Sequence, residues 1–241
     1  MALPKIDTPI YDLTLPLSNK KIKFRPFLVK EQKNLMMAIE ANDKETIERN
    51  IKQVLHNCTL TENIEIEKLP VIDVEYYFLQ LRAKSVGEVI ESQYICNNIV
   101  DGESCGNKMK ASLNLSEIEV TSNPDYSNEI KITDNIVIKF NYPEFSTLEK
   151  IKEKDSSVEI AFEMITDSIE YIFDGQQYYY ANETTAQELM DFVESLNAEQ
   201  FSKIEAFFDN QPKLNKTVFI KCSKCGYEHR IDLEGLENFF G

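Results

Sequence analysis

Four of the chain's five cysteines stand in two pairs, Cys96 with Cys105 and Cys222 with Cys225, and a glycine follows each pair, Gly106 and Gly226. Two thiolates carried on one turn point at one place. A glycine after the second admits the left-handed backbone that closes such a turn without steric cost. Two such turns supply the sulfurs of a tetrahedral all-thiolate site, so the spacing predicts one structural zinc ion held by Cys96, Cys105, Cys222 and Cys225. A closed thiolate shell leaves no position for water or substrate, which assigns the ion to folding and not to catalysis. The second pair has the usual knuckle spacing, while the first carries an eight-residue insert, NNIVDGES. Lys108, Lys110, Lys221, Lys224 and Arg230 crowd the same stretches and would offset the net negative charge of the centre. Two other readings of these residues stand beside the first: four unpaired thiols buried as small core residues, or a mixed site in which His229 replaces one thiolate. Cys58, on an expected helix close to His56, reads as core.

Other chemistry is not evident. There is no phosphate-binding glycine loop, no G-x-S-x-G and no H-E-x-x-H, and the chain has two histidines, His56 and His229. The expectation is a non-enzymatic protein that works by binding other proteins. Acidic residues outnumber basic ones 41 to 26, a formal net charge of -15. A field of that sign repels nucleic acid and anionic lipid, so neither is an expected partner. No stretch approaches the ~20 apolar residues that span a bilayer, and MALPKIDTPIYDLTLP has no apolar run after a basic start, so no signal peptide is expected. A reducing cytoplasm follows, in which thiols are free or metal-bound.

The elements that must position the cysteines are legible as an α+β pattern, with 42% hydrophobic residues to build a core. Residues 6–24 read as a hairpin turning at Ser18-Asn19-Lys20. Pro26 is expected at the first position of a helix with Phe27, Leu28, Leu35, Met36 and Ile39 on its apolar face. A second helix carries Ile47, Ile51, Val54 and Leu55, and a third runs from Asp73 to about Arg82 with Val74, Tyr77, Phe78 and Leu81 on one side. Strands are expected at 89–96 and 109–115, with a hairpin over 130–140. Helices follow at Leu148–Lys152, through Val158 to Ile169, after a capping box near Thr184-Thr185, and through Phe201 to Phe208, and strands at 217–222 and 227–233 flank the last cysteines. Tyr178-Tyr179-Tyr180 is read as a strand with one face in the core, with an exposed docking surface as the other reading.

Four regions result: 1–87, a hairpin plus helices; 88–145, β-rich with the first cysteine pair; 146–213, helical; and 214–241, the second cysteine hairpin, packing with 88–120, and an apolar tail. The two hairpins form the knuckles of a discontinuous zinc-ribbon-like module. In the tail, Leu236, Phe239 and Phe240 line an apolar stripe if helical, which either packs on its own domain or binds a partner.

Three segments carry a family likeness: KIKFRPFLVKEQKNLMMAIE, YYFLQLRAKSVGEVIE and QFSKIEAFFDNQPKLNKTVFIKCSKCGYEHRIDLEGLENFFG. Together and in this order they resemble the baseplate hub assembly proteins of T-even-type contractile-tailed bacteriophages. The resemblance implies a non-enzymatic assembly factor or minor component of the hub, with other phage hub or tail proteins as partners. Its place would be the host bacterial cytoplasm during assembly and, if retained, the virion tail baseplate. Cys222, Cys225 and Gly226 match the family's C-terminal C-x-x-C-G. A nucleic-acid-binding zinc-ribbon regulator is the alternative of a different class, supported by the cations near the cysteines.

Overall fold

The computed structural model describes residues 6–41, 44–121, 123, 126–147 and 156–234. They form two units. One takes residues up to Ile66, Ile72–Thr121 and the chain from Lys213 on; the other takes Glu67–Val71 and the stretch between Thr121 and Lys213. The elements are helices and antiparallel strands.

The first unit begins with the expected hairpin: β1 (Tyr11–Thr14) pairs with β2 (Lys21–Phe24), Thr14 facing Lys21. Alternation puts Ile22 and Phe24 inside. The turn is held from afar, because the buried Asp73 carboxylate accepts from the N–H groups of Leu17 at 2.8 Å and Ser18 at 2.9 Å.

Helix α1 (Val29–Ala41) starts three residues after Pro26. The Phe27 N–H is taken by Ser85 Oγ at 3.0 Å and the Leu28 N–H by Glu31 Oε2 at 2.6 Å, so these residues dock the helix entry instead of joining it. The buried face is Glu31, Leu35 and Ala38, whereas Leu28, Met36 and Ile39 are exposed, contrary to the expected stripe. Helix α2 (Lys44–Cys58) buries Ile51, Val54, Leu55 and Cys58 at helical spacing.

Helix α3 (Val71–Val86) is apolar on more than one side. Tyr77 meets Phe24 of the hairpin at 5.5 Å between ring centres, while Leu79 and Ala83 enter a second core made of strands. Those strands form two ribbons. In one, β3 (Val89–Ile95) pairs with β6 (Lys108–Asn114), Ile95 facing Lys108, and a small hairpin of β4 (Ile99–Val100) and β5 (Glu103–Ser104) extends its tip. In the other, β12 (Lys213–Lys221) lies between β13 (Glu228–Glu234) and β7 (Glu119–Thr121). Ile90, Leu113, Leu115 and Ile118 pack with Leu214 and Leu233 at the α3 end; Met109, Ala111 and Ile220 continue the core to the cysteines. The chain leaves this unit at Thr121 and re-enters at Lys213, and these two residues face each other across the β7–β12 pair.

The second unit has a four-stranded sheet in the order β11-β10-β9-β8: β8 (Glu129–Lys131), β9 (Val137–Phe140), β10 (Ile169–Phe173) and β11 (Tyr178–Tyr180). Helices α4 (Ser157–Ser168), α5 (Ala186–Glu194) and α6 (Ala198–Asp209) share one core with it, built of Ile138, Phe140, Ile165, Ile169, Ile172, Leu189, Val193, Ile204 and Phe207. Both α5 and α6 start in capping boxes, Thr185 with Glu188 and Asn197 with Gln200. Ile169 opens β10 and does not continue α4, since the Ser168 carbonyl is taken by the Asn141 N–H at 2.7 Å. The three tyrosines of β11 form a strand, but all three are exposed, which corrects the expectation of a face in the core. The expected helix Leu148–Lys152 and the tail residues Leu236, Phe239 and Phe240 lie outside the described residues.

Candidate metal centre

Each ribbon ends in a turn, and the two turns are built alike. In the β12–β13 ribbon the Cys222 N–H donates to the Tyr227 carbonyl at 2.8 Å and the Gly226 N–H to the Cys222 carbonyl at 2.9 Å. In the β3–β6 ribbon the Cys96 N–H donates to the Asn107 carbonyl at 2.8 Å and the Gly106 N–H to the Cys96 carbonyl at 3.0 Å. Gly226 and Gly106 have φ of 75° and 63°, the left-handed region expected after each cysteine pair. The eight-residue insert does not disturb this geometry. Its six residues Ile99–Ser104 fold into the β4–β5 hairpin, and the Cys105 N–H closes its base on the Asn98 carbonyl at 2.8 Å. The first pair is thus a knuckle of ordinary shape with a hairpin grown from its middle.

The four sulfurs meet. Cys96 Sγ stands 3.6 Å from Cys225 Sγ, Cys105 Sγ stands 3.8 Å from Cys222 Sγ, and all four lie within 4.8 Å of one another. None is in a disulfide, and Cys96, Cys105 and Cys222 are buried while Cys225 is half-buried. A tetrahedron of sulfurs at zinc bond length has edges of about 3.8 Å. The two closest cross-knuckle edges, 3.6 and 3.8 Å, match that length, and four such sulfurs could hold one metal ion. Cys58 is elsewhere, buried at the end of α2, and burial pushes its thiol up to about 11, the property of an inert core residue.

The surroundings favour thiolate at one knuckle. The N–H of Cys225, countered by burial and then helped by the N–H of Lys224 and the Asn107 amide, holds Cys222 down to about 6. The Tyr227 N–H likewise lowers Cys225. Burial raises Cys96 to about 12, with the neighbouring thiols adding to it. Four negative sulfurs do not coexist so close without a positive charge among them, and a cation reverses this penalty.

Asn98 and Asn107 were not singled out from the sequence. Their Nδ2 groups lie 3.7 Å from Cys225 Sγ and 3.4 Å from Cys222 Sγ, so each amide of the first knuckle reaches a sulfur of the second. The available signal was their position, Asn98 two residues after Cys96 and Asn107 directly after Gly106. Of the crowding cations, Lys224 Nζ donates to the Cys105 carbonyl at 2.9 Å, tying the knuckles again, while Arg230 turns to Asp232 at 3.1 Å. His229 lies next to the cluster. Its Nε2 stands 3.1 Å from Cys96 Sγ, beside the set, with its ring against Tyr227.

Residues 8–241 match the family model described as T4 bacteriophage base plate protein. The baseplate hub assembly protein gp26 of Enterobacteria phage T4 is 24% identical over 231 residues, which cover 95% of this chain and 97% of that protein. No solved structure matches the chain.

Proposed function

The chain belongs to the family of T4 bacteriophage base plate proteins, and on that premise we propose that it is a non-enzymatic factor or minor component of the tail baseplate hub, acting through contacts with other baseplate or tail proteins. The observation that carries this reading is the extent of the match, which runs through both units and ends beyond the second cysteine pair. In this reading a zinc ion held by Cys96, Cys105, Cys222 and Cys225 clasps the two ribbons and fixes the surface that partners meet. The apolar tail residues Leu236, Phe239 and Phe240 are proposed as a partner-binding segment.

Co-purification of the tagged chain from infected cells tests the reading. Enrichment of baseplate hub or tail proteins supports it, and enrichment of nucleic acid without them contradicts it. Mass spectrometry of mature particles then divides the two roles: a stoichiometric amount identifies a component, and absence identifies an assembly factor.

A further inference from the structure

One face of the second unit's sheet carries a set of touching aromatic rings. β10 and β11 pair Tyr171 with Tyr180 and Phe173 with Tyr178, and alternation turns these four away from the buried Ile172 and Ile138. Their rings touch: Phe173–Tyr178 at 4.6 Å between centres, Tyr171–Tyr178 at 5.1 Å, Tyr171–Tyr180 at 5.9 Å and Tyr178–Tyr180 at 6.1 Å. Tyr178 and Tyr180 nevertheless remain 52% and 43% exposed, on the terminal strand of the sheet. Single exposed aromatics are ordinary, but a contiguous set of four is the kind of surface that marks an interface.

Charge indicates what would sit there. The second unit carries 20 acidic and 7 basic residues, a net of -13, against 21 and 19 in the first, a net of -2. Nearly all of the chain's net negative charge therefore belongs to the unit with the aromatic face. The face already attracts a cation: Lys139 Nζ stands 5.6 Å from the centre of the Tyr171 ring and 3.4 Å from Glu170. The Tyr171 hydroxyl donates to Glu129 at 2.9 Å, placing a second carboxylate at the rim. Ring faces bordered by carboxylates attract ammonium and guanidinium groups, and the flat guanidinium also stacks. A phosphate backbone is repelled by the same field.

We propose that the Tyr171–Phe173–Tyr178–Tyr180 face docks an arginine-rich segment of a partner protein, with guanidinium groups stacked on the tyrosine rings. This deepens the baseplate reading and rests on it only for the partner being a protein. It does not depend on the metal centre.

The probe is a fluorescein-labelled peptide of alternating Arg and Ser, titrated with the full chain at low salt and followed by anisotropy, beside peptides with Lys or Glu in place of Arg. The Arg peptide should bind, the Lys peptide about threefold to tenfold more weakly, and the Glu peptide not at all. The Tyr178→Ser/Tyr180→Ser double variant should weaken the Arg peptide at least about tenfold, with Tyr180→Ser alone giving a smaller loss. Phe219→Ser, which removes an exposed ring from the first unit, should change nothing. No binding of the Arg peptide, or binding that both tyrosine variants leave within about twofold, overturns the proposal and leaves only attraction to the acidic field. Equal binding of a single-stranded RNA oligonucleotide overturns it too. These outcomes leave family membership and hub co-purification untouched, so failure here is distinct from failure of the baseplate reading.

Discussion

Cys222 and Cys58 are both buried thiols, but backbone N–H groups hold the first down while burial pushes the second up. Cys222→Ser should therefore abolish metal retention and lower the melting temperature sharply, whereas Cys58→Ala should keep the metal and cost only about 1–2 kcal/mol of packing. Elemental analysis beside thermal unfolding checks both. Asn107→Ala removes an amide 3.4 Å from Cys222 Sγ, and competition with a chelator should show metal affinity reduced by about tenfold or more. Glu31 gives a pH test away from the cysteines. Burial alone would raise its pKa, but the Leu28 N–H, the Arg25 guanidinium and the Lys30 charge prevail and hold it below its ordinary value. A carboxylate lowered in the folded state contributes stability above its unfolded pKa and loses it as pH falls through the folded one. Glu31→Gln should cost about 2 kcal/mol near neutral pH and flatten that acid-side loss, as urea unfolding at several pH values would show. The four clustered cysteines were legible from residue type and the trailing glycines. Asn98 and Asn107 were not, because an amide reaches a sulfur of the other knuckle only once the turns have met.

Between Asn98 and Cys105 the β4–β5 hairpin leaves the knuckle and returns to it, so the long spacing hides an ordinary turn. Deleting residues 99–104 should leave a short knuckle that still holds metal with little change in melting temperature. Loss of metal in that variant would mean that the hairpin itself shapes the site. Gly226→Ala should cost about 1 kcal/mol for the left-handed backbone alone, since nothing lies within 4 Å of the added carbon. Helical spacing identified α2 and one face of α3. It did not reveal that Leu79 and Ala83 serve a second core, because an all-round apolar helix has no single stripe to read. In α1 the side chain of Glu31 closes the helix entry from inside, and apolar periodicity cannot announce a buried carboxylate. The run of three tyrosines indicated a strand correctly; which face is buried depends on the helices α4, α5 and α6, whose packing side is a tertiary fact.

At the scale of the molecule, the 91 residues between Thr121 and Lys213 enter and leave through one pair of facing residues, which is why the two knuckles are distant in sequence and adjacent in space. The interruption also divides the charge, leaving a nearly neutral unit that holds the cysteine cluster and a strongly acidic one. Zinc contributes about 10–16 kcal/mol in small finger peptides, comparable to the whole net stability of a domain. A strong chelator should therefore unfold the first unit while the helices and sheet of the second remain, visible as a split of one thermal transition into two. X-ray absorption at the zinc edge of protein purified without chelator addresses the clasp itself. Four sulfur neighbours at about 2.3 Å, with one zinc per chain, are expected; absence of zinc, or a shell containing nitrogen or oxygen, would contradict a clasp made of Cys96, Cys105, Cys222 and Cys225.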